Sequence, residues 1–144
     1  DDELGYDEFS ALDQIISLLQ TSDYLVIKLH PEEAEEKYQH LKNERVSVLR
    51  NIDIHALNTM ADVVVGMASM LLLELAMLRN DVISFRPDAK KQFIGKRLSA
   101  TVDLTSKVEL ETILKFPKCV SGQFKERFDG SSARITSLIK SIIG

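Results

Sequence analysis

The sequence has 144 residues, of which 44% are hydrophobic and 28% charged, and its formal net charge is −4. This length predicts one domain, and the composition is ordinary for a soluble globular protein. The negative net charge excludes a global positive field that would attract nucleic acid or an anionic membrane. A single cysteine, Cys119, excludes an internal disulfide framework. No apolar run approaches the about 20 residues of a membrane span. We therefore predict a cytoplasmic protein without a transmembrane segment or a nucleic-acid partner.

The hydrophobic period switches repeatedly along the chain between a helical and an extended pattern. Helices are predicted over 7–20, 31–42, 54–60, 69–78, 106–115 and 132–143. Strands are predicted over 24–29, 45–49, 61–66, 81–85 and 101–104. Strands and helices that alternate with short connections predict an α/β fold, here a Rossmann-like three-layer domain with a mostly parallel sheet. Ligands of such sheets bind beyond the carboxyl ends of the strands, so the residues at the strand ends are the candidates for a site.

The first predicted strand ends in a lysine and a histidine, within "VIKLHPEEAEEKY". Pro31 suits the first position of a helix, and a helix N-terminus beside Lys28 and His30 would bind a phosphate group. The alternative is ordinary punctuation, in which Pro31 ends the strand and His30 bonds to nearby backbone.

The third predicted strand ends in "GMASMLLLE", which joins a glycine, a serine and a carboxylate. Gly66 allows a tight turn or the close approach of a ligand. Ser69 either caps the following helix or donates its hydroxyl to a phosphate. Glu74 lies within an otherwise apolar helix, where an unpaired buried carboxylate is costly. A ribose diol would satisfy it, and the alternative places it on the exposed edge of the helix.

The fourth predicted strand leads into "FRPDAKKQFIGKR", which holds five positive charges in an acidic protein: Arg86, Lys90, Lys91, Lys96 and Arg97. This run could hold a diphosphate or an acidic acceptor, although most such runs are simply solvated.

Other chemistry finds less support in the sequence. "FDGSSARI" precedes the last predicted helix and resembles an anion-binding turn, but capping by Asp129 or Ser131 explains it as well. The three histidines have no metal-ligand spacing. We therefore predict neither a metal site nor a cofactor.

Two stretches together resemble a known superfamily. "VIKLHPEE" and "ADVVVGMASMLLLELAMLRNDVISFRP" are similar to the nucleotide-binding C-terminal half of GT-B glycosyltransferases, and most to those that build capsule, teichoic acid and sialylated polysaccharides. The superfamily also includes the UDP-N-acetylglucosamine 2-epimerases. The resemblance covers 24–85 well and the remainder loosely. It implies that His30 contacts the donor's phosphate or nucleotide, that Ser69 binds phosphate, and that Glu74 holds the ribose.

From this resemblance we expect residues 1–144 to form one Rossmann-like nucleotide-sugar-binding domain, which is a fragment of a longer protein. The predicted function is to bind the nucleotide-sugar donor of a GT-B-like glycosyltransferase, without turnover in isolation. The expected partner is the N-terminal GT-B half, in the same chain or in another subunit. The predicted phosphate- and nucleotide-binding residues are Lys28, His30, Gly66, Ser69, Glu74 and Arg86. A 2-epimerase-like domain and a non-enzymatic interaction domain remain as alternatives, and no catalytic residue is predicted.

Overall fold

The computed structural model describes residues 7–91, 93–98 and 100–116. The strands are β1 (Leu25–Lys28), β2 (Val46–Leu49), β3 (Val64–Gly66), β4 (Val82–Phe85) and β5 (Val102–Leu104). The helices are α1 (Glu8–Leu18), α2 (Ile54–Met60), α3 (Met70–Ala76), α4 (Ile94–Arg97) and α5 (Lys107–Lys115), with a 3-10 helix at Glu35–Leu41. The predicted α/β class is confirmed. The helix predicted over 132–143, the "FDGSSARI" turn and Cys119 lie outside the described residues.

The strands form two parallel sheets. In the first, β1 pairs with β2, so that Leu25 lies opposite Val46. In the second, the order is β3-β4-β5, and both pairs are parallel, as predicted. All four residues of the central strand β4 are buried, as expected for a parallel strand covered on both faces.

Helices cover both faces of the three-stranded sheet. Alternate side chains of β4 point to opposite sides and therefore pack against different helices. Val82 packs with Leu75 of α3 in one hydrophobic cluster. Phe85 packs with Ala11 of α1 and Leu110 of α5 in another. The result is a layered helix–sheet–helix arrangement that is compatible with a Rossmann-like three-layer fold.

Helix α1 packs against both sheets at once. The Asp7 side chain accepts hydrogen bonds from the amides of Phe9 and Ser10 and so fixes the start of this helix. Ala11 then belongs to the cluster over the three-stranded sheet, whereas Leu12 packs with Leu29, the residue after β1. Because one helix contacts both sheets, the sheets lie side by side beneath it.

The connections determine how the two sheets are ordered. The 3-10 helix between β1 and β2 lies on the α1 side, since its Tyr38 packs with Leu12. Helix α2, between β2 and β3, lies on the opposite side, since Ile54 packs in the cluster that holds α3. Right-handed crossovers on opposite faces move the chain in opposite directions across a sheet. We infer the order β2-β1 followed by β3-β4-β5, so that the direction of strand addition reverses between β1 and β3.

The structure differs from the prediction in two places. The helix predicted from Pro31 is wrong: Pro31 lies in a turn, and the 3-10 helix begins only at Glu35. The reason is local, because the Glu33 carboxylate accepts the His30 amide at 2.6 Å and the Glu33 amide donates to the His30 carbonyl. The basic loop after β4 also contains the short helix α4, which was not predicted. Within the described ranges, no helix is both long enough and apolar enough to cross a membrane.

Candidate functional site

The candidate site is the crevice beyond the carboxyl ends of β1 and β3. In open parallel sheets, ligands bind where the strand order reverses, and the inferred order places that point between these two strands. Among the described residues, β1 pairs only with β2 and β3 pairs only with β4. The end of β1 supplies His30, and the end of β3 supplies the loop Met67–Ser69. The inferred strand order therefore puts both predicted tips at this candidate crevice.

His30 is exposed at the β1 end of this crevice. Its Nδ1 accepts a hydrogen bond from the amide of Glu32 at 3.3 Å. A ring nitrogen that accepts carries no proton, so the neutral imidazole has its proton on Nε2. His30 is thus prepared to donate one hydrogen bond to an acceptor such as a phosphoryl oxygen.

Glu33 opposes anion binding at the same tip. Its carboxylate holds the His30 amide at 2.6 Å and pairs with Lys37 at 2.6 Å. Burial alone would raise the pKa of the Glu33 carboxyl, but the hydrogen bonds from Lys37 and from the His30 amide bring that pKa below its usual value. Glu33 is therefore ionised at neutral pH, and the His30 amide is occupied by a carboxylate.

Lys28 and Gly66 are engaged within the fold. The Lys28 ammonium is partly buried and donates to the Leu29 carbonyl at 3.1 Å. A Cβ at Gly66 would lie 2.7 Å from a methyl carbon of Leu72 in α3. Since Leu72 is buried in the core, the glycine allows α3 to pack closely onto the end of β3.

Ser69 is the N-cap residue of α3, but its side chain makes no capping hydrogen bond. The residue is exposed, so its hydroxyl is open to a ligand. Glu74 is also exposed and lies on the outer side of α3, between the exposed Met70 and Met77. Glu74 is therefore on the exposed edge of the helix, as the alternative interpretation of the sequence has it. A helix rise of about 1.5 Å per residue puts it about 7 Å along the helix from Ser69.

Arg86 lies at the end of β4 but is only 3% exposed. Its guanidinium donates to the Ser84 hydroxyl at 3.2 Å, to the Lys91 carbonyl at 2.6 Å and to the Asp103 carboxylate at 2.6 Å. Its hydrogen-bonding capacity is therefore directed into the protein rather than toward the crevice. Neither Ser84 nor Asp103 was among the predicted site residues.

The loop after Arg86 carries exposed positive charge. Ala89 donates to the Arg86 carbonyl at 3.1 Å, which closes a turn in which Asp88 has a positive φ of 61°. Aspartate tolerates this left-handed conformation better than most residues. Lys90, Lys91 and Lys96 are all exposed, in keeping with a solvated loop. In the part of the chain that the structure describes, no group of three His, Cys, Asp or Glu side chains could hold a metal ion.

Comparison of the chain with protein-family models, with curated proteins and with solved structures finds no match. The GT-B resemblance therefore stays a prediction from the sequence. His30, Ser69 and Glu74 are the predicted site residues that are exposed around the crevice or on the helix beside it, whereas Lys28, Gly66 and Arg86 have partners within the fold.

Proposed function

We propose that this chain binds a nucleotide-sugar donor in the crevice between the ends of β1 and β3, as the donor-binding domain of a GT-B-like glycosyltransferase in polysaccharide or glycan biosynthesis. One observation carries the proposal: the His30 imidazole and the Ser69 hydroxyl are exposed hydrogen-bond donors at the ends of β1 and β3, the two strands between which the inferred order reverses. The sequence resemblance suggests the ligand class, and the exposure of these two side chains supports the proposed location.

In the proposed complex, His30 Nε2–H and the Ser69 hydroxyl donate to phosphoryl oxygens of the donor. Donors held in fixed positions stabilise negative charge as it develops on a departing nucleoside phosphate. Glu74 accepts hydrogen bonds from the ribose hydroxyls. The chain alone binds the donor without turnover, because no residue of the site is assigned as a general base.

A non-enzymatic interaction domain is the second candidate, and the position of Glu33 favours it. A carboxylate on the His30 amide occupies a donor that a phosphate would otherwise use, and it adds negative charge to the tip. Under this candidate the same strand ends bind no nucleotide at all, which makes the two candidates separable by titration.

Titration with UDP, CMP, CDP and UDP-N-acetylglucosamine, followed by backbone amide NMR shifts, tests the proposal. We expect saturable shifts in residues at the ends of β1 and β3, with one nucleotide base preferred. His30→Ala should weaken binding about tenfold, as expected for one lost hydrogen bond to a charged group. His40→Ala, which removes an exposed histidine from the end of the 3-10 helix, is the matched control and should bind as the parent does. A folded sample without saturable shifts at millimolar ligand would contradict the proposal and favour the interaction domain.

A further inference from the structure

We infer that Ser84 and Arg86 are positioning residues, which set the loop Met67–Ser69 in the orientation that the ligand requires. The inference rests on the proposed function, because that function makes Ser69 a ligand of the donor phosphate. It assigns Arg86 an indirect role in place of the direct phosphate contact that the sequence predicts.

A continuous chain of polar contacts runs from β5 through β4 to the end of β3. The Asp103 carboxylate of β5 accepts from Arg86 at 2.6 Å, and Arg86 Nε donates to the Ser84 hydroxyl at 3.2 Å. The Ser84 hydroxyl donates in turn to the Met67 carbonyl at 2.6 Å. The first and last of these contacts cross between neighbouring strand segments, and the Arg86–Ser84 contact runs along the end of β4, so together they tie the β3 end to β5.

The direction of the Ser84 hydroxyl follows from the chemistry of its two partners. A guanidinium has only donors, so toward Arg86 the Ser84 oxygen acts as an acceptor. Its single proton then remains for the Met67 carbonyl. Ser84 is fully buried, where an unpaired hydroxyl would be costly. This cost favours the conformation in which the hydroxyl keeps both partners.

The contact acts one residue beyond the last paired position of β3. Gly66 is the residue of β3 that lies opposite Ser84, and Met67 follows it. The backbone ladder ends there, so the Ser84 hydroxyl extends the constraint into the loop. Ser69 has no side-chain cap of its own, which leaves this loop dependent on support from β4.

Arg86 also holds the basic loop. Another nitrogen of its guanidinium, Nη1, donates to the Lys91 carbonyl at 2.6 Å. The Thr101 hydroxyl donates to the second carboxylate oxygen of Asp103 at 2.9 Å. One buried arginine thus fixes the backbone on two sides of the β4 end. Changes that loosen Arg86 should disturb the loop Met67–Ser69 and the basic loop together.

The test compares Ser84→Ala with Thr101→Val. Both changes remove a buried hydroxyl from the same polar network, but only Ser84 contacts Met67. Ser84→Ala should weaken UDP binding by at least about threefold, which corresponds to part of one hydrogen bond. Thr101→Val should leave binding unchanged, and Ser84→Thr, which keeps the hydroxyl, should restore it. Unfolding midpoints in urea show that each variant is folded under the binding conditions.

Amide shifts and hydrogen exchange without ligand provide an independent readout. In Ser84→Ala the amides of the loop Met67–Ser69 should shift and exchange faster, whereas in Thr101→Val they should not. Equal binding by Ser84→Ala and the parent, or equal losses in both variants, would overturn the inference. If the parent chain binds no nucleotide, the proposed function fails, and the amide data then decide whether Ser84 positions the loop.

Discussion

Two strand-to-helix junctions in this protein look alike in sequence and differ in how they are held. Ser69 occupies the N-cap position of α3 after β3, and Ser106 that of α5 after β5, with nearly the same backbone angles of φ −127° and ψ 153° or 148°. Ser106 accepts from the Glu109 amide, and the Glu109 side chain accepts from the Ser106 amide in a complete capping box. The Ser69 side chain makes no such bond.

The difference separates a junction stabilised by its own residues from one stabilised by a neighbouring strand. At the β5–α5 junction the capping box satisfies backbone amides at the start of α5, and the Ser106 hydroxyl is engaged in it rather than free for a ligand. At β3–α3 the Ser84 hydroxyl on β4 holds the Met67 carbonyl, and the Ser69 hydroxyl stays open. The two serines thus differ in what their hydroxyls do in the folded chain: that of Ser106 takes part in a cap, and that of Ser69 does not.

Removing the support of the β3–α3 junction should produce the largest effect on stability. Arg86→Ala leaves Asp103 buried without its partner, with the two side chains each only 4% exposed. Loss of one partner from a buried ion pair costs about 3–5 kcal/mol. We expect a loss of that size in the free energy of unfolding, measured by urea denaturation.

Lys115→Ala is the matched control for this experiment. It breaks an exposed ion pair with Glu111 in α5, which solvent screens, so only a small loss of stability is expected. A similar small loss in Arg86→Ala would show that the buried network does not hold the β3–α3 junction.

Breaking the local cap should have a smaller effect, confined to the β5–α5 junction. Ser106→Ala removes the two hydrogen bonds of the Ser106 hydroxyl and leaves the bond from the residue 106 amide to the Glu109 carboxylate, and the loss of an N-cap costs about 1 kcal/mol. Amide exchange should accelerate in the first turn of α5 and stay unchanged in α3. Destabilisation of α3 instead would contradict the independence of the two junctions.

Acidification should produce the smallest of these effects on stability. The Ser106 hydroxyl and the amides of Thr105 and Ser106 donate to the Glu109 carboxylate and lower its pKa. A carboxyl group with a lowered folded pKa stabilises the protein above its unfolded pKa, and this contribution disappears as the pH falls through the folded pKa. Because Glu109 is exposed to solvent, we expect only about 0.3 kcal/mol.

Urea denaturation at pH 7 and pH 3 of the parent and of Glu109→Gln measures this contribution. The parent should lose about 0.3 kcal/mol more on acidification than the variant does. An equal loss in both would show that the capping box carries no pH-dependent stability.

Hydrophobic pattern predicted most of the fold, because burial dominates the choice of element. The strand predicted over 81–85 is confirmed as β4, and the helix predicted over 106–115 is confirmed as α5. The helix start predicted at Pro31 is wrong, because the Glu33 carboxylate accepts the His30 amide and closes a turn there instead. Such local competition between a side chain and the backbone leaves no trace in the hydrophobic period.

The site was harder to predict than the fold. The basic residues around Arg86 indicated that this arginine is exposed and binds an anion. Its pairing with Asp103 depends on contacts between neighbouring strands, which sequence spacing does not reveal. One signal was present, since Ser84 is a polar residue inside an apolar strand, and a buried hydroxyl requires a partner. The exposure of His30, Ser69 and Glu74 likewise follows from packing of the whole chain.

The most direct measurement is the dissociation constant for UDP of Ser69→Ala beside that of Ser106→Ala, each with its free energy of unfolding. We predict that Ser69→Ala weakens binding about tenfold with almost no loss of stability. Ser106→Ala should lose about 1 kcal/mol of stability and keep its affinity. The reverse result, in which Ser69→Ala destabilises the chain and leaves binding unchanged, would contradict a ligand role for Ser69.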